Sequence, residues 1–430
     1  MGKKEERLIS YVPLESQDWF HYSDARFKAL CGPVGTGKTQ ALCQEALRLT
    51  VKNPGCTGLL GAPTYPMLRD TTLAQFLEIC RTSEFPHQWQ PAQQRVRMLE
   101  NGSAVLFRPL DNYERLRGPN LAWFGVDELT YTQPEAWERL EARLRDPRAK
   151  LLHGFAVFTP KGFDWVHRKF KAAPVEGYEL IEARPFENRH VLDKVPDYYE
   201  RLRRSYDPRF YEQEALGKFL NASQGRVYYA FERRAHVRPV RYEKNLPLLW
   251  AWDFNISPMS SVICQQRGGE VSVLDEIVLR TSSTPEVCQE FAQRWGDHAA
   301  GLVVYGDASG SARHSSSRES DFHIIREFFR EHRRLNPVLR VPRRNPPVRD
   351  RVNAVNAKLC NAAGDRELFI DPRCRELIAD LEQVSYKPNS SVIDKDSDPA
   401  RTHTSDALGY YVWQTFRPTA TIGERDRPLV

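Results

Sequence analysis

The sequence predicts an α/β protein in two parts, each with its own sheet. Three observations carry the prediction. Short apolar strands alternate with helical stretches through about residue 185, the pattern of a mainly parallel sheet. A complete GxxxxGK[ST] loop, Gly32-Pro-Val-Gly-Thr-Gly37-Lys38-Thr39, lies between the first strand and the first helical run. A second group of strands follows further on, and short turns join its first members, which predicts an antiparallel start to a mixed sheet.

The strands expected in the first part are Phe27–Cys31, Gly58–Ala62, Ala104–Arg108, Leu121–Val126 and Leu152–Phe158, with helical composition over Gln40–Thr50. Residues 186–225, including DYYERLRRSYDPRFYEQEALGKF, read as helices with exposed faces that form a lid or linker. The second sheet is expected to use Gly225–Phe231, Leu248–Phe254, Val262–Gln266, Val271–Val278 and Leu302–Gly306, with a turn at Arg267-Gly268-Gly269. Helices are expected near 286–296, 321–332 and 352–363. The expected divisions are therefore 1–185, 186–225 and 226–418, with a frayed tail over 419–430.

The 430 residues can bury two or three cores. With 41% hydrophobic and 27% charged residues, the composition is that of a soluble globular protein. No apolar run approaches the ~20 residues of a membrane helix, and the charged stretch Met1–Arg7 is not followed by one. A cytoplasmic protein without membrane contact is the expectation. The eight cysteines are scattered without CxxC spacing, so they read as reduced, mostly buried thiols. The net charge of +6 suits a polyanionic partner.

The loop assigns distinct work to its residues. Gly32 opens it. Gly35 and Gly37, with Thr36 between them, let the backbone N–H groups face phosphate oxygens. Lys38 brings a positive charge to the outer phosphates, and Thr39 offers a hydroxyl to Mg²⁺. A second element should supply acids, and the apolar run Leu121–Val126 ends in Asp127-Glu128. Asp127 would hold Mg²⁺, and Glu128 would orient or deprotonate the attacking water. The expected cofactor is ATP with Mg²⁺. Gln17, upstream of the loop, is placed either to read adenine or as an ordinary surface residue. Arg115 and Arg117 could reach a neighbouring subunit's nucleotide, contact DNA, or form a surface ion pair. Thr159 could sense the γ-phosphate or cap the following turn.

Three further aspartates share a setting. Asp253 ends Leu248-Leu-Trp-Ala-Trp, Asp307 ends Leu302-Val-Val-Tyr-Gly, and Asp406 opens an apolar-faced helical run. Adjacent strand ends and a helix packed on the sheet can bring such carboxylates together. Hard oxygen ligands of this kind hold Mg²⁺ or Mn²⁺, and two ions could activate water against a phosphodiester. This is the acid layout of a ribonuclease H-like nuclease. Asp275-Glu276 reads as a solvated pair, and His403 as a structural residue able to touch substrate. Residues 333–351 carry seven arginines (Arg333, Arg334, Arg340, Arg343, Arg344, Arg349 and Arg351), and this basic loop could follow a DNA backbone.

The order of these features resembles the large terminase subunit of tailed double-stranded DNA viruses. The features are the phosphate loop, the strand-terminal Asp127-Glu128, Thr159-Pro-Lys-Gly162 and the acids Asp253, Asp307 and Asp406. Ala62-Pro-Thr-Tyr-Pro-Met-Leu-Arg69 and Asn101-Gly-Ser-Ala are similar to connecting segments of that family. The resemblance implies an ATP-driven motor that moves double-stranded DNA into an empty capsid and a metal-dependent endonuclease that cuts concatemers when packaging starts and ends. It implies a ring, usually of five copies, docked on the portal protein and guided by a small terminase subunit. The place of action would be the host cytoplasm, transiently the portal vertex, and not the mature virion. It also implies an arginine acting in trans, matched here to Arg117 and then Arg115. Many members carry an arginine inside the phosphate loop where this chain has Val34, which puts more weight on Arg117. The rival expectations are a helicase-like or translocase ATPase whose C-terminal part binds DNA without cutting it, and a scaffold protein with a degenerate nucleotide site.

Overall fold

The computed structural model describes residues 11–118, 120–173, 175–220, 225–254, 258–311, 320–331, 335–387, 392–399 and 401–416. The chain forms two compact units, Met1–Tyr199 with Glu212–Asn221 and Glu200–Tyr211 with Ala222–Val430. Among the described residues no helix is long and apolar enough to cross a membrane.

The first unit is an eight-stranded sheet. Its strands are β1 (Phe27–Cys31), β2 (Thr57–Ala62), β3 (His87–Gln90), β4 (Arg95–Met98), β5 (Ala104–Pro109), β6 (Trp123–Val126), β7 (His153–Phe158) and β8 (Tyr178–Glu182). Their order is β3-β4-β5-β2-β6-β7-β1-β8. The strands from β5 to β8 in that order are parallel, and β4 and β3 extend the edge antiparallel. The expected mainly parallel sheet is therefore present. Both faces are covered, so β6 and β7 are buried along their whole length. Leu121 and Ala122 stay outside β6, because Leu121 makes an isolated parallel bridge to Leu144. The polar strands β3, β4 and β8 carry no continuous apolar run and were not expected.

The second unit is a six-stranded mixed sheet of order β13-β12-β9-β10-β11-β14. The strands are β9 (Leu248–Asp253), β10 (Met259–Arg267), β11 (Glu270–Leu279), β12 (Leu302–Gly306), β13 (Pro337–Arg340) and β14 (Leu368–Ile370). The meander β9-β10-β11 is antiparallel, and β12 and β13 run parallel to β9. This is the strand order 3-2-1-4-5 of the expected ribonuclease H-like fold, with β14 added beside β11. Helices Thr284–Trp295, Asp321–Glu331, Val348–Leu359 and His403–Phe416 lie near or within the expected segments. One cluster, around Trp250, Trp252, Phe291 and Phe329, packs one side of the sheet, and another, around Val262, Val355, Leu408 and Tyr411, packs the other.

One expected strand is absent. Gly225–Phe231 makes only an isolated bridge, Arg226 to Ser385, and then turns with Phe231 N–H on Tyr228 O. Val227, Tyr228 and Phe231 are buried together. That spacing suits a packed turn and not the alternation of a strand.

Candidate functional site

The first candidate site lies at the carboxyl ends of β1, β7 and β6, which are neighbours in that order. Cys31 ends β1, and the chain turns through Gly32–Gly37 into helix Lys38–Lys52. Gly35 and Gly37 have φ of +83° and +71°, and Gly37 is the helix N-cap. Those angles turn the loop back on itself, which a side chain at either position would strain. The 15-residue helix points its N-terminus at the concavity, where backbone N–H groups favour an anion. The Lys38 ammonium donates to the carbonyls of Gly32 (2.9 Å) and Pro33 (2.8 Å), so it spans the mouth of the loop. Thr36 Oγ1 donates to Pro33 O at 2.8 Å.

Asp127 and Glu128 follow β6. Asp127 is 2% exposed and accepts from Thr39 Oγ1 (3.2 Å to each oxygen) and Thr72 Oγ1 (2.8 Å). Burial pushes its carboxyl up, and the two threonine hydroxyls oppose that shift. Thr39 and Asp127 thus lie side by side as oxygen donors of the kind that Mg²⁺ takes. Burial likewise raises Glu128, against the nearby Lys38 charge. Glu128 has φ of +50°, a conformation that costs a non-glycine residue energy and recurs at working sites. Its Oε2 accepts from Thr159 N–H at 3.5 Å, and Thr159 O accepts from Thr130 Oγ1. Thr159 is therefore joined to the acid by its backbone.

Gln17 is buried, and its role differs from either expectation. Its amide donates to Thr36 O (3.2 Å) and Gly37 O (3.1 Å), and its oxygen accepts from Tyr11 Oη and Leu14 N. All four hydrogen-bonding positions are filled. Gln17 braces the loop instead of presenting a free edge to a base. Other partners of the loop had no sequence signal: Asn188 Nδ2 donates to Gly35 O, Tyr199 Oη to Val34 O, and Val34 N–H to Glu214 O. All three come from the segment expected as lid or linker. Arg115 and Arg117 are exposed, and Arg117 pairs with Glu114 at 2.5 Å.

The second candidate site lies at the carboxyl ends of β9 and β12. The parallel register sets Trp252 beside Gly306, so the next residues, Asp253 and Asp307, emerge side by side. They are 6% and 7% exposed. Asp406, in the first turn of helix His403–Phe416, is also buried. Burial pushes the Asp253 carboxyl up, the hydrogen bond from His403 opposes this, and the charges of Asp406 and Asp307 add to the rise. The three acids therefore sense one another.

Other groups already engage them. His403 places Nδ1 3.0 Å from Asp253 Oδ2 and Nε2 3.0 Å from Pro399 O. Both partners accept, so a doubly protonated ring satisfies both, consistent with a pKa that the Asp253 hydrogen bond raises. Asp406 contacts Arg351 Nη2 at 2.8 Å and Lys395 Nζ at 3.0 Å. Asp307 Oδ2 accepts from Ser309 Oγ, while its buried Oδ1 has no partner among the described residues. Among those residues, no three His, Cys, Asp or Glu side chains stand grouped as a metal cage. Register brings Asp253 and Asp307 together, and helix packing adds Asp406 as an ion-paired neighbour.

Several other sequence expectations are revised. Asp275 and Glu276 are not solvated. Asp275 accepts from Arg294 (3.2 Å) and Trp295 Nε1 (3.4 Å). Glu276 accepts from the backbone of Glu376 and Leu377 at the start of helix Arg375–Gln383, and burial pushes its carboxyl up to about 7. The basic run is not one surface. Arg340, Arg343 and Arg344 are exposed, Arg349 lies against the Phe210 ring, Arg351 is buried on Asp406, and Arg333 and Arg334 lie outside the described residues. All eight cysteines are free, and seven are buried, as expected.

Arg351 is a structural member of this site that motif reading did not isolate. Arg351→Met is expected to cost about 3 kcal/mol, because it removes the buried partner of Asp406 and leaves that carboxylate to the more exposed Lys395. Urea unfolding followed in the second unit checks this, and a loss below about 1 kcal/mol would contradict the buried-pair account.

Comparison with known proteins agrees with this architecture. Residues 29–235 match the family model described as terminase large subunit, T4-like-virus type, N-terminal. A large terminase subunit of Thermus phage G20c is 26% identical over 182 residues, which span 38% of this chain and 37% of that protein. The structure of the large terminase from thermophilic bacteriophage D6E superposes with a TM-score of 0.68 at 14% identity, covering 94% of this chain and 99% of that one. The same protein in complex with ADP gives a TM-score of 0.68 at 15% identity, covering 96% and 100%. At such identities the likeness is one of fold. Taken with the family match over residues 29–235, the two sheets described above have the fold of the large terminases that the chain resembles.

Proposed function

We propose that the chain is a DNA-packaging motor, with ATP hydrolysis in the first unit and metal-dependent endonuclease activity in the second. One observation carries the reading: the phosphate loop and the Asp127-Glu128 pair meet, with Thr39 on Asp127 and Glu128 on Thr159 N–H. In this reading the loop N–H groups and Lys38 bind the phosphates, and Thr39 and Asp127 would hold Mg²⁺. When bound, that ion neutralises phosphate charge. Glu128 orients the attacking water and takes its proton, and its raised pKa suits that work. The Thr159 backbone links the acid to the chain that follows β7. Arg117, exposed and paired with Glu114 at the surface, serves a neighbouring copy's nucleotide. In the second unit, Asp253, Asp307 and Asp406 would hold Mg²⁺ or Mn²⁺, one or two ions. The free Asp307 Oδ1 and the oxygen-only donor set fit a hard cation. When bound, such ions lower the pKa of water and stabilise the leaving oxygen.

The partners that follow are double-stranded DNA, a portal protein, a small terminase subunit and further copies of this chain, as a pentamer on the procapsid in the host cytoplasm. The test is ATP turnover with and without linear double-stranded DNA, run alongside plasmid cleavage in Mg²⁺ or Mn²⁺. Stimulation by DNA together with metal-dependent cutting is expected. Absence of ATP turnover would overturn the motor reading. Turnover without cutting at any metal concentration would favour a translocase whose second unit only binds DNA. One observation favours that second reading: Asp406 already has two cationic partners.

A further inference from the structure

The acidic site of the second unit carries two counter-ions of its own, and they are not equivalent. Arg351 is built in. Its side chain is 6% exposed, and its guanidinium lies 4.4 Å from the centre of the Tyr410 ring. Gly409 makes room for it, since a Cβ there would lie 2.6 Å from Arg351 Cγ. Removing that charge would take from Asp406 its buried partner. Lys395 is different. Its side chain is 54% exposed, and among the described residues its ammonium makes one hydrogen bond, to Asp406 Oδ2. An exposed lysine pair of this kind adds little and is screened by salt.

Across the site, Asp307 is 7% exposed, and its Oδ1 has no hydrogen-bond partner among the described residues. Arg351 and Lys395 meet Asp406, and the His403 ring meets Asp253. A divalent cation drawn to Asp253 and Asp307 is a stronger partner for carboxylate oxygen than an ammonium. Of the two cations on Asp406, only Lys395 can leave without burying a bare charge.

Building on the cleavage-site reading above, we propose that Lys395 is an exchangeable counter-ion. It holds Asp406 until a divalent cation takes that carboxylate over, and the freed ammonium then stands at the edge of the site as a contact for a nucleic-acid backbone phosphate. Lys395 is thus a substrate-contacting residue whose availability is set by metal binding.

The test uses the full chain and Mn²⁺ alone. Free and bound Mn²⁺ are counted by electron paramagnetic resonance, and the component lost in Asp307→Asn is assigned to this site. Lys395→Met should tighten that component roughly fivefold, the equivalent of one half-exposed ion pair. Acetylation of Lys395, read by mass spectrometry, should rise when Mn²⁺ is added to the wild-type chain and stay flat in Asp307→Asn. Acetylation of Lys387, which pairs with Asp396, should not respond in either. If Asp307-dependent Mn²⁺ binding is present but Lys395 acetylation is unmoved, or Lys395→Met leaves the affinity unchanged, the exchange is overturned and the cleavage site stands. If no Mn²⁺ binding depends on Asp307, both fall together.

Discussion

Glu128→Gln is expected to lower ATP turnover at least ~10²-fold while leaving ATP binding within a few-fold of wild type, the effect of removing a general base alone. The amide keeps the size of the side chain and an oxygen that can still accept from Thr159 N–H, so the loop and the turn after β7 should survive. Lys38→Ala should instead lose binding as well, since it removes the charge at the mouth of the loop. Nucleotide binding by fluorescence and steady-state phosphate release separate the two outcomes. The pH profile adds a sign. Glu128 works deprotonated and its pKa is raised by burial, so turnover should climb with pH through a range above that of an ordinary glutamate. An unshifted profile, or a Glu128→Gln variant with near-normal turnover, would assign the water-activating role elsewhere.

The second large effect falls on Asp307. Asp307→Asn should reduce Mn²⁺-dependent plasmid cleavage by more than the ~10–100-fold typical of losing a merely supporting partner of a metal ligand. ATP turnover should be unchanged. Asp307 is the most informative of the three acids because, among the described residues, its carboxylate makes only the Ser309 hydrogen bond and no ion pair. Asp253→Asn also removes the partner of His403, and Asp406→Asn releases Arg351, so both mix chemistry with stability. Plasmid relaxation and linearisation, scored against Mn²⁺ concentration, measure the effect. Cutting at the wild-type rate would remove Asp307 from the reaction and the nuclease reading with it.

The family resemblance and the outline of both sheets were legible in the sequence for a local reason. Phosphate-loop geometry is specified by eight consecutive residues, and buried parallel strands such as β6 and β12 announce themselves as unbroken apolar runs. Their ends then mark where Asp127, Asp253 and Asp307 emerge. The polar strands β3 and β8 at the two edges, and β4 beside β3, escaped because the margins of a sheet need no continuous apolar run. Gly225–Phe231 misled because apolar content alone does not distinguish a strand from a packed turn.

The sequence by itself determined which residues are chemically equipped to act and on which elements they sit. Only the tertiary structure decided what those residues touch. It spent the Gln17 amide N–H groups on the loop carbonyls, gave Asp127 a second hydroxyl from Thr72 across 55 residues, buried Asp275 against Arg294, and took Arg351 out of a basic surface to pair with Asp406. Each of these follows from the cost of leaving a polar or charged group unpartnered away from water. That cost is met by whichever donor or charge the fold brings near, and no spacing along the chain records which one it will be.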